Sequence, residues 1–363
     1  MLRCMYSGIS GMKVNQTKLD VIGNNIANVG TTAFKSSSAR FKDMLYQNAG
    51  EATAPTSVLG GTNAKQIGLG AQLSSINKIM GQGNALSTGR SLDVCIDGDG
   101  YLVVSKGSTD SAIAVNQTNG LADDTAAAKS PDETLFTRDG NLTLDYQGNL
   151  LTADGHRVMG YYLKSSDANQ TNPSIAYLTA DDAVTKAKAG EPQVSYVSAD
   201  STTLVRSDNQ LHPLAIPDSV VVTDSSGNKT LDPVKKFEIG KNGIITAVLG
   251  SGKRAAIGQV AMASFKNPEG LTDLGGNMSL NSSNSGPTVY KTGVATDTEK
   301  TGKTVVDNSS GFGSMIQGAL EGSNVDLTEQ FTDMITATRS FQAASKMITT
   351  GDEILQTITG LMR

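Results

Sequence analysis

The chain has 363 residues and a formal net charge of −5; 38% are apolar, 18% charged and 5% aromatic, and tryptophan is absent. This length calls for more than one compact unit, and lysines and arginines dispersed through an acidic chain exclude the clustered basic face of a nucleic-acid binder. Its 39 glycines, with Ser, Thr, Asn and Asp crowding the middle, suit many short strands joined by turns and not a large aromatic enzyme core.

At the N-terminus Leu2, Met5, Ile9, Met12, Leu19, Ile22 and Ile26 recur mostly at three- and four-residue steps, and Gln16 stands within the one longer gap. That stripe predicts an amphipathic helix that buries one face against a partner and stops near Asn28 or Gly30. The opening residues lack the apolar stretch and cleavage site of a secretory signal. No run of 18 apolar residues occurs anywhere, so no helical membrane span is expected.

The middle changes to period two with turn punctuation. Ser91 to Ser105 reads as two strands around Asp97-Gly98 and Asp99-Gly100, and Leu135 to Leu163 carries hairpin signals at Asp139-Gly140, Gly148-Asn149 and Asp154-Gly155. Lys235 to Phe265 repeats the pattern. Residues 164–233 are rich in Ala, Asp, Ser and Thr with weaker strand signals, and are read as an inserted outer β-rich domain. Asn281 to Gly313 is polar and reads as a long surface loop.

The C-terminus returns to helical spacing through Leu327, Phe331, Met334, Ile335, Phe341, Ala344, Met347, Ile348, Leu355, Ile358 and Met362. Asn324 or Asp326 offers an N-cap, with Glu329 in capping-box position, and Gly351 is the point where a bend is expected. Met1 to Asn48 carries a net +4 and Glu321 to Arg363 a net −3, which favours the two ends lying together, although exposed pairs contribute little singly. The expected architecture is therefore α+β: a terminal helical coiled-coil pair enclosing central all-β domains built by nested insertion. Its boundaries are 1–75 with 314–363 for the helical unit, 76–163 with 234–313 for the middle β-domain, and 164–233 for the insert.

Catalytic chemistry finds no foothold. His156 and His212 lie in no ligand spacing with Cys4 or Cys95, and phosphate-cradle and nucleophile-elbow patterns are missing. Asp93 to Gly98 imitates the start of a calcium loop, but Cys95 takes a ligand position and Val104 stands where Glu is required. Asp123-Asp124 and Asp181-Asp182 read as solvated pairs, and the two cysteines as small buried side chains. No enzyme, cofactor or metal site is expected.

Asp20-Val-Ile-Gly-Asn24-Asn25-Ile26-Ala-Asn28 followed by Thr31-Thr32-Ala33-Phe34-Lys35 closely resembles the signature of the flagellar rod and hook protein family. Ala33 stands where that family commonly has Gly. Leu92 to Tyr101, Phe136-Thr-Arg-Asp-Gly140 and Gly318 to Leu327 resemble three further family segments in the same order, so that the likeness spans roughly 1–163 and 235–363. The resemblance implies a chain exported unfolded through the flagellar type III apparatus without a cleaved signal. It also implies polymerisation into a helical tube with the paired ends lining the inner wall. Rod proteins, a hook cap and hook–filament junction proteins are the implied partners, with no nucleic acid and no membrane insertion. Length and the central insertion point to a hook subunit that transmits torque, and the Tyr46-Gln47 ending points to a distal rod protein as the alternative. A secreted coiled-coil adhesin or effector is the reading from another class.

Overall fold

A computed structural model describes residues 2–57, 60–109, 111–116, 119–122, 131–165, 173–177, 191–200, 204–223, 229–294 and 308–361. The chain divides into two compact units, 1–81 with 323–363 and 82–322.

In the first unit, helix α1 (Leu2–Ala27) and helix α2 (Leu327–Leu361) flank a two-stranded ribbon in sequence. The ribbon pairs β1 (Ser37–Asp43) with β4 (Ala71–Lys78), and β2 (Tyr46–Gly50) with β3 (Lys65–Gly68), all antiparallel. α1 ends where its asparagines turn on the backbone: the Asn28 side chain donates to the Asn24 carbonyl (2.9 Å) and to Asn24 Oδ1 (2.6 Å). Such local bonds offer the chain an alternative to another helical turn. The exit is completed by Ala33, which holds a positive φ of 55°, a left-handed conformation that side chains with a Cβ adopt at a cost. Asp326 caps α2, its Oδ1 accepting from Thr328 N at 2.8 Å and Glu329 N at 3.4 Å. α2 then runs through Gly351 without interruption. The glycine is buried, and a Cβ there would lie 3.2 Å from Met5 Cγ, so its smallness serves helix contact.

The described residues of the second unit form mostly short strands, with two 3-10 turns at Pro268–Gly270 and Ser309–Gly311. Its strands are β5 (Ala85–Ser87), β6 (Val94–Asp97), β7 (Tyr101–Lys106), β8 (Ile113–Ala114), β9 (Glu133–Thr137), β10 (Leu142–Leu144), β11 (Leu150–Thr152), β12 (Arg157–Ser165), β13 (Ile175–Tyr177) and β14 (Pro192–Val194). There follow β15 (Leu204–Arg206), β16 (Gln210–Pro213), β17 (Ser219–Thr223), β18 (Lys229–Ile239), β19 (Ile244–Leu249), β20 (Arg254–Val260) and β21 (Met262–Ser264). The last are β22 (Thr272–Gly275), β23 (Met278–Leu280), β24 (Val289–Tyr290), β25 (Ser314–Gln317) and β26 (Ala319–Glu321). The main path runs β17-β18-β19-β20-β12-β7-β9-β23-β22. The three expected hairpin signals fall between β9 and β10, β10 and β11, and β11 and β12.

β7 and β12 occupy the middle of that path and are buried on both faces. Successive strand side chains point to opposite faces: Leu102, Val104, Val158 and Tyr162 enter one core, while Val103, Met159 and Tyr161 enter another with Phe136 and Phe265. The near-continuous apolar run Val-Met-Gly-Tyr-Tyr-Leu is the signature of such a two-sided strand.

Several expectations change at this level. The helical unit takes in residues 76–81 and gives up 314–322, because β25 and β26 pair with β6 and β5. The described part of 164–233 is not set apart from its surroundings: β15 and β16 pair with β12, and β17 and β18 extend the same sheet. The start of the expected surface loop is packed, with Ser285, Tyr290, Lys291 and Thr292 buried; residues 295–307 lie outside the described residues. Cys95 is buried, but Cys4 is exposed. His212 is a strand residue stacked on Tyr162, 4.6 Å between ring centroids, and bonded to Asp208. Asp123-Asp124 and Asp181-Asp182 lie outside the described residues.

Candidate assembly surface and motif junctions

α1 and α2 lie antiparallel. A Cβ on Gly8 would meet Ile348 at 3.2 Å, one on Gly11 would meet Ala344 at 3.8 Å, and Gly351 faces Met5. Farther along, Lys18 and Asp333 form an ion pair at 3.3 Å, and Asn25 Nδ2 donates to Gln330 Oε1 at 2.9 Å. The closest packing therefore uses small and polar residues. Gly8, Val14, Ile22 and Asn25 are buried on α1, and Gln330, Ala337 and Gly351 on α2.

The large apolar residues expected at the seam are distributed otherwise. Met5, Met12, Leu19, Ile26, Met334, Phe341, Ile348 and Leu355 are half-buried, while Ile9, Leu327, Phe331, Met347 and Ile358 are exposed. Phe331 is 50% and Ile335 63% exposed, and Leu361 reaches 82%. The side chain of Leu2 and all of Met362 lie outside the described residues. Large apolar side chains thus remain exposed on both helices, Tyr6 and Ile9 on α1 and a longer series on α2, and grouped exposed apolar side chains mark interaction sites.

The motif residues do identifiable work. Asn25 is buried, accepts from Ser37 N (3.0 Å) and donates to Ser37 O (2.8 Å) as well as to Gln330. One side chain therefore fixes the start of β1 to both helices. Asn324 acts similarly: its Oδ1 accepts from Ser36 N at 2.7 Å, and its Nδ2 donates to the Ile79 and Gly81 carbonyls at 2.6 and 3.1 Å. Its own N–H reaches Phe34 O at 3.3 Å, and Lys35 Nζ donates to Gly81 O at 2.8 Å. In the sequence Asn324 stands as an N-cap candidate within Gly318–Leu327. The contacts that define its role lie hundreds of positions away in the chain and left no local trace.

A second junction lies in the β unit. Arg138 Nε donates to Glu321 Oε2 at 2.9 Å, its Nη2 to Gly98 O at 2.9 Å, and its guanidinium lies 5.8 Å from the Tyr101 ring centroid. Glu321 Oε1 accepts from Gly83 N at 3.1 Å. Both charged side chains are nearly inaccessible, at 7% and 0%. Burial holds the Tyr101 phenol above its ordinary value, with Arg138 opposing that rise. Asp93, the first residue of the imitation calcium loop, instead accepts from Thr88 and Arg90 and its carbonyl accepts from Gly318 N. Gly140 must be glycine because a Cβ there would collide with the Val94 carbonyl. The segments around 93–101, 136–140 and 318–321 therefore meet in one place. Among the described residues no group of three or more His, Cys, Asp or Glu side chains could hold a metal ion, and no described helix is long and apolar enough to cross a membrane.

A family profile described as flagella basal body rod protein matches residues 5–35, and one described as flagellar basal body rod FlgEFG protein C-terminal matches 316–361. The flagellar basal-body rod protein FlgG of Bacillus subtilis is 36% identical over 363 residues, covering all of both chains. The chain belongs to the flagellar basal-body rod and hook family. The flagellar hook protein FlgE of Treponema pallidum is 28% identical across all of both chains in a 480-position alignment. A rod protein FlgG of Agrobacterium fabrum is 29% identical over 99% of this chain and 98% of its own. The family is one of flagellar structural proteins, located in the flagellum. The matched regions contain Asn25, Gln330, Asn324 and Glu321, so the first junction and the Glu321 side of the second draw on family segments, while Arg138 lies outside both matched regions.

Proposed function

We propose that this chain is a subunit of the flagellar hook, which polymerises into a flexible helical tube joining rod to filament and passing torque along it. The observation that carries this reading is the series of large apolar side chains left exposed on the antiparallel helices, most of them on α2, within a chain whose full length aligns with proteins named as hook subunits. Ile9, Phe331, Ile335, Met347 and Ile358 are assigned to contacts between copies, and Met5, Ile22 and Ile348 to contacts within one chain. Such head-to-tail contacts propagate helically instead of closing as a dimer. The chain leaves the cell unfolded through the flagellar type III apparatus, and meets rod, cap and hook–filament junction proteins at the ends of the tube.

A distal rod subunit is the second reading, favoured by the end-to-end match at 36% identity to a protein named for the rod. Overall length does not separate the two, since relatives of both names align over the whole chain. Electron microscopy of the purified chain tests both: curved tubes support the hook and straight tubes the rod. A soluble monomer at high concentration overturns both in favour of a secreted adhesin or effector. Removal of 1–30 or 325–363 should abolish tubes while leaving a folded β unit.

A further inference from the structure

A groove of about 730 Å³ opens between α1 and the β ribbon, its apolar walls formed by Tyr6, Ile9 and Val14 on one side and Met44, Leu69 and Leu73 on the other. This volume is in the range of sites that take several apolar side chains. The chain's own α2 does not fill it, because α2 packs on the α1 face that carries Gly8 and Gly11.

We infer that the groove receives the distal half of α2 from a second copy, with Ile354, Ile358 and Leu361 as anchors. This deepens the assembly reading above and rests on it. The three anchors stand at positions i, i+4 and i+7, the spacing with which an amphipathic helix lays one stripe into an apolar groove. All three are exposed on their own chain, at 46%, 39% and 82%.

Charge selects the same partner. The only charged residue lining the groove is Lys13, which has no ion-pair partner among the described residues. Arg40, Lys42 and Asp43 lie one strand over, opposite Ser75, Gln72 and Ala71, and leave the rim with a net positive charge. The α2 segment Met347–Leu361 carries Asp352 and Glu353 and no base. Opposite signs at the rim bias which surfaces meet and in which register. Among the described residues this complementarity is used once between the helices of one chain, by Lys18 and Asp333.

The test is a cross-link between copies in a Cys4→Ser background, where the remaining Cys95 is buried. Full-length chains carrying Ile9→Cys are mixed with chains carrying Ile358→Cys, polymerised and oxidised. Each chain offers one accessible thiol, so a dimer containing both labels comes only from contact between copies. The expected result is that mixed dimer in tubes, and its loss when Ile335→Cys replaces Ile358→Cys. Tubes without the mixed dimer overturn the groove assignment and leave self-assembly standing. Absence of tubes from the wild-type chain overturns both. If either cysteine variant itself fails to polymerise, Leu73→Cys with Ile354→Cys, each diluted into wild-type chain, gives the same readout: the mixed dimer supports the groove assignment, and tubes that lack it overturn it.

Discussion

Removing the Glu321 carboxylate should unfasten the β unit from within. Glu321→Ala deletes the acceptors of Arg138 Nε and Gly83 N, and leaves a guanidinium that is 7% exposed with Gly98 O and the Tyr101 ring as its described contacts. Breaking a buried ion pair by removing one partner costs about 3–5 kcal/mol, because the orphaned charge stays desolvated. Glu321→Gln keeps an oxygen for Gly83 and loses the charge, so a loss of about 1.5–3 kcal/mol is expected, the worth of a charge-assisted bond. Replacing both partners, as in Arg138→Met with Glu321→Leu, should recover much of the loss, since apolar substitutes of similar volume are often neutral to about 4 kcal/mol stabilising. Seven of the nine tyrosines lie in 82–322, so urea unfolding followed by near-ultraviolet circular dichroism reports mainly on this unit. The reasoning fails if Glu321→Ala shifts the midpoint no more than a surface substitution does, or if the double-mutant cycle shows no coupling.

Gly8→Leu should drive the helices apart, because its Cβ would already sit 3.2 Å from Ile348 and 3.4 Å from the Ala344 carbonyl; overpacking costs about 1–3 kcal/mol. Gly23, with nothing within 4 Å, should instead gain about 0.5–1 kcal/mol on change to Ala, and helical melting of the full chain separates the two. Asn25→Ala removes three hydrogen bonds at a buried site, and a drop of about 1–3 kcal/mol together with faster amide exchange at Ser37 is expected. Ala33→Gly should raise the stability of the helical unit by about 1 kcal/mol by relieving the left-handed conformation, measured by the same melts. The raised Tyr101 value means that the folded state holds the phenol proton more tightly than the unfolded one. Its stabilisation is complete below the ordinary tyrosine value near 10.0 and disappears as pH rises through the raised one, so Tyr101→Phe should flatten the alkaline limb of a stability–pH curve.

The two helices were legible because apolar residues at helical spacing form a pattern within about two turns of chain. Two of the three hairpins expected in the 135–163 region form, at Gly148-Asn149 and Asp154-Gly155, because such pairs carry their conformation in their own covalent structure; at Asp139-Gly140 β9 and β10 do not pair, since β9 pairs with β7 and β23. The contact face between the helices was not. Gly8, Gly11, Ala337 and Gly351 bring the backbones close by lacking bulk, and an absent side chain leaves no mark in a hydrophobic pattern. The visible stripe of Ile9, Phe331 and Ile358 points outward instead. The helix end falls at Asn28, where the sequence places it, but Asn25 stands in the sequence only as part of a signature. Its bond to Gln330 spans 305 positions, and no local rule reaches that far. The Arg138–Glu321 pair was hidden in the same way, its partners standing 183 positions apart.

The β unit begins and ends at neighbouring strands. Gly322 N donates to Asn84 O at 2.8 Å, β5 pairs with β26, and β6 pairs with β25. The chain thus enters and leaves this unit side by side, through a doorway sealed by the Glu321 carboxylate. Whatever lies beyond the doorway can lengthen without altering how it closes, in the way that domains with adjacent termini accept insertion. A relative aligned over 480 positions against the 363 residues here can keep the same frame and carry a larger outer body. Evolution can then change the size and surface of the subunit without renegotiating the parts that bind the chain's two ends.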